Sequence, residues 1–530
     1  MASLLKTQLM NFLLTFFLSG QADGQSNNVK PTPTFSLPSN YTTQSYNASG
    51  AAVTFHPNAD FSDQALARLW QQVGPIATGQ LSTTVSPTPE PSSYARPGAL
   101  HPLIPHYDTT LLGKKFPDNF VWGVSSSAYQ IEGAAKDEGK GPSIWDLLAH
   151  RVPNAVADNT TGDVLAEHYY LYKQDIARMK GLGIPAFSPS ISWPRLFPFG
   201  KGPVNEAGLA HYDDVISELL SQGITPAISL FHWDTPLALF EEYGAWTNER
   251  IVDDYLRYAK LVIERYDDYV PIWFSFNEPQ YCNWQYSYYP AGKYYPAYNN
   301  VTGGLEAQYL CGHYTLLAHA KLAKWYHEEF HGKGRITFKN SGNYFEANST
   351  SEADAIAVQR NYDFVLGWFG GPWTNGDYPQ TLKDTLGDLL PKFTEEEKAL
   401  IKGSCDFFAL DGYTSHYAYE IDGGVEACVN NQSSPGYPEC AGSRSTAPDN
   451  FPAGPAADNG VSWLYDTPVG IRKFLSKITK DIFPTIPDIQ VTEFGFAEPF
   501  ESQQKSLNTA LWDLRRAVGF LEKFSKCKVY

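Results

Sequence analysis

Positive charge is scarce in this chain. Only 40 Lys and Arg stand against 57 Asp and Glu in 530 residues, a formal net charge of −17. A surface of that sign repels phosphate backbones and anionic headgroups, which argues against nucleic acid or an anionic membrane as a partner. Sulfur is scarce too. The six cysteines are Cys282, Cys311, Cys405, Cys428, Cys440 and Cys527, few for this length, and none stands with histidine at a zinc-ligand spacing. Connectivity cannot be read from sequence, but Cys428 and Cys440 flank a Pro/Gly/Ser loop and are the pairing expected. Long apolar runs are missing except at the start. Met1–Gln25 carries Lys6, an apolar run through Leu18, and small Gly20 and Ala22. That run is too short to span a bilayer and reads as a secretory leader, residues 1–22, cleaved near Ala22. Six Asn-x-Ser/Thr sites, at Asn40, Asn47, Asn159, Asn300, Asn348 and Asn431, agree with a secreted glycoprotein.

Aromatics, in contrast, are abundant, at 15% of residues within a 43% hydrophobic chain. Sugar rings present flat C–H faces that pack on aromatic faces, so the excess agrees with carbohydrate binding. Residues 23–110 are rich in Ser, Thr, Pro and Asn, with a short helix expected around Ser62–Val73. They read as an irregular, partly disordered arm that need not pack on the core. Beyond it, residues 111–530 alternate strand-like runs with amphipathic helical patterns, which predicts repeated β/α units. The strands expected are Phe120–Ser126, Ala186–Ser192, Thr225–Phe231, Val270–Phe276, Arg335–Lys339, Phe407–Leu410 and Ile489–Thr492. Helices are expected over Asp163–Gly181, Gly208–Gln222, Asn248–Tyr266, Leu305–Phe330, Glu352–Gly367, Pro468–Ile482 and Gln504–Phe524, with insertions at Gln280–Gly304, Gly371–Gly403 and Tyr417–Trp463.

Two of these strands end in a carboxylate. PIWFSFNEP (Pro271–Pro279) is apolar without alternation, as a strand buried on both faces must be, and Pro279 stops it just after Asn277 and Glu278. DIQVTEFG (Asp488–Gly495) repeats the design with Glu493. Taken singly, either glutamate would serve equally well as a helix or turn cap. Together they fit a closed parallel barrel, whose carboxyl rim gathers strand ends that lie far apart in the chain. Two facing carboxyls suit glycoside hydrolysis: one protonates the departing oxygen, the other attacks or activates water.

FPDNFVWGVSSSAYQIEGAAKDEGKGPSIWD, FHWDTP, FSFNEP and VTEFGF, in this order over Phe116–Leu521, resemble glycoside hydrolase family 1, the β-glucosidase family. The resemblance implies a (β/α)8 TIM barrel and hydrolysis of β-glycosides with retention, without cofactor or metal. It implies Glu278 as acid/base and Glu493 as nucleophile. Gln130, His232, Trp233 and Asn277 are then the residues that hold the sugar, and Tyr413 the hydroxyl that steadies the nucleophile. Glutamine, asparagine and histidine offer donors and acceptors to hydroxyls without a permanent charge. The aromatic stretch Tyr281–Tyr298, directly after the acid/base, is expected to form a stacking wall on the aglycone side.

The pattern is broken in places. Ser188 stands where the family has an arginine near the nucleophile, which leaves Glu493 without an expected cation unless another replaces it. Phe494 and Asp411 stand where asparagines are usual. The chain reaches CKVY after a seventh helix, so the eighth strand and its sugar-gripping motif are expected to be missing. The reading is therefore a secreted, retaining β-glucosidase-like enzyme acting on a small β-glycoside or oligosaccharide. The alternatives are a sugar-binding pseudoenzyme on the same barrel and a transglycosidase.

Overall fold

The computed structural model describes residues 13–18, 33–46, 60–90, 120–156, 158–288, 304–503 and 516. All seven expected strands form: β1 (Phe120–Ser125), β2 (Ala186–Ser188), β3 (Thr225–Ser229), β4 (Ile272–Asn277), β5 (Arg335–Ala347), β6 (Phe408–Tyr419) and β7 (Ile489–Glu493). They are parallel and paired in chain order, β1 to β2 and so on through β6 to β7. Parallel strands buried on both faces need continuous apolar runs, and β4 and β7 are buried along almost their whole length. Inside the curled sheet, Ala186, Ala227, Phe274, Phe407 and Ala409 pack as one apolar cluster beneath the carboxyl rim. Strand β5 outruns its expected end at Lys339. Beyond the rim it stays paired with β6 from Tyr344↔Ser415 to Ala347↔Ala418, and Gly442–Arg444 adds an antiparallel partner to β6. Part of the insertion after Tyr417 is thus sheet, a pairing between distant segments that no local pattern signals.

Helices cover the outside as their periodicity predicts, over His168–Gly181, Glu206–Ser221, Arg250–Tyr266, Gly304–Lys324, Glu352–Tyr362 and Pro468–Lys477. The helix expected over Gln504–Phe524 lies outside the described residues. Helix Arg250–Tyr266 contributes more than an apolar stripe. The Tyr258 hydroxyl donates to the Ile191 and Leu230 carbonyls at 2.9 and 2.7 Å, and that of Tyr255 to the Ser275 carbonyl at 2.5 Å. Strand-end carbonyls buried under the rim therefore have donors, which a buried backbone requires. Glu132 of the QIEG motif and Arg195 of WPRL form a buried ion pair at 3.0 Å. Tyr212 donates to the same carboxylate at 2.7 Å, tying the segments after β1 and β2 together.

Two expectations are corrected here. The arm packs on the barrel wherever it is described. Phe35 meets Tyr266 edge-on at 5.1 Å, and the buried Tyr41 donates to the Arg257 carbonyl at 2.7 Å. Thr43–Gln44 pairs with Val204–Asn205. The expected short helix forms over Asp63–Val73, is capped by Ser62, and buries Leu66, Leu69, Trp70 and Val73. Further on, the amides of Ala77 and Leu81 donate to Asp163 and Glu167, and that of Val85 to the Tyr170 carbonyl. The composition average hides these few large anchors, and the extended pieces take several of their hydrogen bonds from the barrel. The proposed leader lies outside the described residues except Leu13–Leu18, which runs as a strand antiparallel to β1. The stacking wall fails for Tyr281 and Tyr286. Both are buried in the core, and the disulfide Cys282–Cys311 fixes their segment to helix Gly304–Lys324. Residues 289–303 of that insertion lie outside the described residues. Cys428 and Cys440 are bonded as expected.

Trp70 is only 2% exposed, and its indole N–H donates to the Lys140 carbonyl at 2.9 Å. Replacing it by alanine removes the largest anchor of the arm helix, and truncations of this kind cost about 3–5 kcal/mol. Thermal unfolding of Trp70→Ala should fall by several degrees, with new protease cuts within residues 60–90. An unchanged melting curve and digest would contradict the docked arm.

Candidate active site

Glu278 directly follows β4, whose ladder Pro279 cannot extend. Its backbone sits at φ +42°, a left-handed conformation that costs a non-glycine residue about 1–3 kcal/mol. The Glu278 amide donating to the Lys339 carbonyl at 3.1 Å holds it there. Trp233, two residues beyond Phe231, takes φ +70° and donates from its indole to the Asn277 carbonyl at 2.7 Å. Strained backbone of this kind persists where surrounding contacts impose it, and it gathers at functional sites. Glu493 ends β7 at an irregularity: the register against β6 shifts between Val491 and Glu493, so Glu493 pairs with Asp411. A bulge re-aims the side chain that follows it.

These strand ends bring three acids together. Glu278, Asp411 and Glu493 each present a carboxyl oxygen, and the three oxygens lie within 4.8 Å of one another. The positive charge among them is Lys339, the lysine of FKN on β5. It is buried, with Nζ 2.9 Å from Glu493 Oε1 and 4.9 Å from the centre of the Phe274 ring. Tyr413 donates its hydroxyl to the other carboxyl oxygen, Glu493 Oε2, at 3.0 Å. Asp411 accepts from the Thr492 hydroxyl at 2.6 Å.

Burial and charge split the acids. Burial pushes Glu278 up to about 8, and the Glu493 charge adds to the push. Asp411 is driven well above the carboxyl range by burial first and Glu493 second. Glu493 goes the other way. Burial raises its pKa, but the Lys339 charge and the hydrogen bonds from Lys339 and Tyr413 outweigh that, and the result is lowered. Lys339 is disfavoured by burial, yet the carboxylates around it raise its pKa overall. One anion, one cation and two neutral acids result at mid pH.

Asn277 and His232 lie beside this cluster. Asn277 is fully buried at the end of β4, and its Nδ2 lies 3.4 Å from His232 Nε2. Burial lowers the His232 pKa to about 4, so the imidazole is neutral. Asn277 Oδ1 and His232 Nδ1 are buried without a hydrogen-bond partner among the described residues. Gln130 lies beyond the end of β1 on the same rim, exposed, its Oε1 accepting from Ser127 Oγ at 2.6 Å. Two residues escaped the sequence reading. Lys339 was legible only as a charge at the end of a buried strand pattern, beside the puzzle of Ser188. Trp463, 48% exposed, meets Tyr413 edge-on at 5.7 Å and stands at the far end of an insertion.

Residues 112–518 match the family model described as "Glycosyl hydrolase family 1". A wheat (Triticum aestivum) chloroplastic β-D-glucosidase of a benzoxazinyl glucoside is 38% identical over 72% of this chain and 68% of its own length. Raucaffricine-O-β-D-glucosidase of Rauvolfia serpentina is 37% identical over 74% and 77%. Among solved structures, a rice β-glucosidase mutant in covalent complex with glucose superposes with a TM-score of 0.71 at 31% identity, covering 78% of this chain and 86% of that one. The Humicola insolens β-glucosidase in complex with glucose gives the same values. The structural relatives are (β/α)8 barrels, and the curled parallel sheet described above is their counterpart. This chain belongs to glycosyl hydrolase family 1.

Proposed function

We propose that this glycosyl hydrolase is a retaining β-glucosidase working by double displacement on β-linked glucosides or short β-glucans. The observation that carries the mechanism is the spacing of Glu278 and Glu493. Carboxyl oxygens within 4.8 Å leave no room for a water between acid and base, the arrangement an inverting enzyme needs, and suit direct attack on the anomeric carbon. Glu493, ionised against Lys339, attacks the anomeric carbon. Glu278, kept protonated, gives its proton to the departing oxygen, and the C–O bond to the aglycone breaks. Glu278, now a carboxylate, takes a proton from water, whose oxygen displaces Glu493 and releases the sugar. The unpaired Asn277 Oδ1 and His232 Nδ1 are suited to sugar hydroxyls, since buried polar atoms require partners. Gln130 and Trp233 complete the sugar's frame on this reading, and Trp463 faces the aglycone. Lys339 supplies the cation that Ser188 does not, which removes one of the motives for the pseudoenzyme alternative.

A 2-deoxy-2-fluoro-β-glucoside with a reactive leaving group should trap an ester on Glu493, located by peptide mass mapping; an ester elsewhere sinks the assignment. Glu278→Gln should lower turnover of an ordinary β-glucoside by roughly 10²–10⁴-fold, the range of general acid–base catalysis.

The pH profile of kcat/KM should be bell-shaped, reporting the coupled pair in the free enzyme. Glu278 is useful while protonated, so activity is lost as pH rises through about 8. Glu493 is useful while ionised, so activity is lost as pH falls through its lowered pKa, below 4.5. A profile still rising above pH 9 would contradict the role given to Glu278.

Export is part of the same proposal. Two disulfides and the exposed acceptor sites Asn40, Asn159 and Asn431 are suited to an oxidising, glycosylating compartment. Protein taken from its native source should lose mass on endoglycosidase treatment; an unshifted mass would count against export.

A further inference from the structure

Glu493 faces several groups whose charge matters. From β5 comes Lys339, from β6 Asp411 and Tyr413, from the end of β4 Glu278, and from beyond β3 His232. Among the described residues, the ammonium of Lys339 is the one cationic partner in an ion pair with this carboxylate. His232 is neutral, and Asp411 and Tyr413 carry protons. On β2 the side chain of Ser188 is fully buried, and its hydroxyl has no partner among the described residues. The same is true of Ser125 on β1 and Ser229 on β3. At these positions β1, β2 and β3 therefore present hydroxyls and no cation to the interior of the described sheet.

Resting on the double-displacement reading, we propose that Lys339 is the positioning residue of the nucleophile: its ammonium, reaching from β5, makes Glu493 rather than Glu278 or Asp411 the one ionised acid of the cluster. The geometry carries this in three ways. Nζ bonds the nucleophile oxygen Oε1 at 2.9 Å while Tyr413 holds Oε2, so the carboxylate plane is held at both oxygens. Lys339 is buried and its ammonium lies 4.9 Å from the centre of the Phe274 ring, which shields the charge from bulk water. With three carboxyls sharing one buried volume, a single cation balances a single anion, and the acid it touches takes the charge. Lysine differs from arginine here. Its ammonium is compact and offers no planar fork, so it serves one oxygen of one acid.

The test is the burst of leaving group from a dinitrophenyl 2-deoxy-2-fluoro-β-glucoside, read against pH in wild type, Lys339→Gln and Lys339→Arg. Dinitrophenolate departs without a proton, so the burst reports Glu493 and not Glu278. Lys339→Gln keeps a hydrogen-bond donor but removes the charge. Its burst rate should fall roughly 100-fold near pH 6, as on loss of an electrostatic contact in a reacting cluster. Its acid limb should move up by about one to three pH units. The sign follows from the cation's absence: Glu493 then binds its proton more tightly and ionises only at higher pH. Lys339→Arg should return the limb towards the wild-type position. A lysine that only supports packing would reduce the amount of active enzyme and leave the limb where it was, and that result overturns the proposal. If wild type shows no burst, the double-displacement reading falls and this inference falls with it. A wild-type burst with an unmoved limb removes this inference alone. Should Lys339→Gln not fold, nitrogen-15 NMR of wild type decides: Lys339 must remain an ammonium from pH 5 to 9, and a neutral amine there overturns it.

Discussion

The ion pair between Lys339 and Glu493 is the contact on which the chemistry of this rim depends. Each partner alone would be expensive to bury, and each would shed its charge if the other were absent. Together they fix where the negative charge sits among three carboxyls crowded into one small volume. Everything else at the site follows from that choice. With Glu493 ionised, the field of its charge and the exclusion of water keep Glu278 and Asp411 protonated. Two acids of identical chemical type are thereby set apart by environment, as the proposed double displacement requires.

Holding that cluster is the work of the barrel. Parallel pairing through seven strands brings β4, β5, β6 and β7 to a common rim, and the register shift in β7 turns Glu493 towards Asp411. Tyrosine hydroxyls from helix Arg250–Tyr266 satisfy the strand-end carbonyls below, so the rim is rigid without exposing its backbone. The left-handed residues Glu278 and Trp233 lie at the ends of that rigid frame. Their strain is sustained by hydrogen bonds to Lys339 and Asn277, which are themselves part of the site.

Outside the barrel, two attachments extend the same logic. The stretch after Glu278 is tied to helix Gly304–Lys324 through Cys282 and Cys311, so its tyrosines fill core instead of lining the entrance. The amino-terminal arm packs on the barrel, with Phe35, Tyr41 and Trp70 as anchors and backbone hydrogen bonds from Ala77 and Leu81 to barrel carboxylates beyond them. It adds buried area to one flank of the molecule and leaves the rim to the strand-end residues.

Much was determined by the sequence alone. Continuous apolar runs closed by Pro279 or Gly495 suit buried strands with an acid at the end, and alternation with amphipathic segments favours parallel pairing. Strand existence, the helices between and the pair Glu278 and Glu493 were legible for that reason, while Asn277, His232 and Tyr413 were legible through the family resemblance. Other features were decided only by tertiary structure. That Lys339 answers the absence of an arginine at Ser188 depends on the register of β5 against β4 and β6, and no spacing along the chain encodes it. That Tyr281 and Tyr286 are core, and that a polar arm docks, depends on which surfaces are already in place to receive them. Local pattern reports what a segment can bury; only the assembled barrel determines which charge meets which.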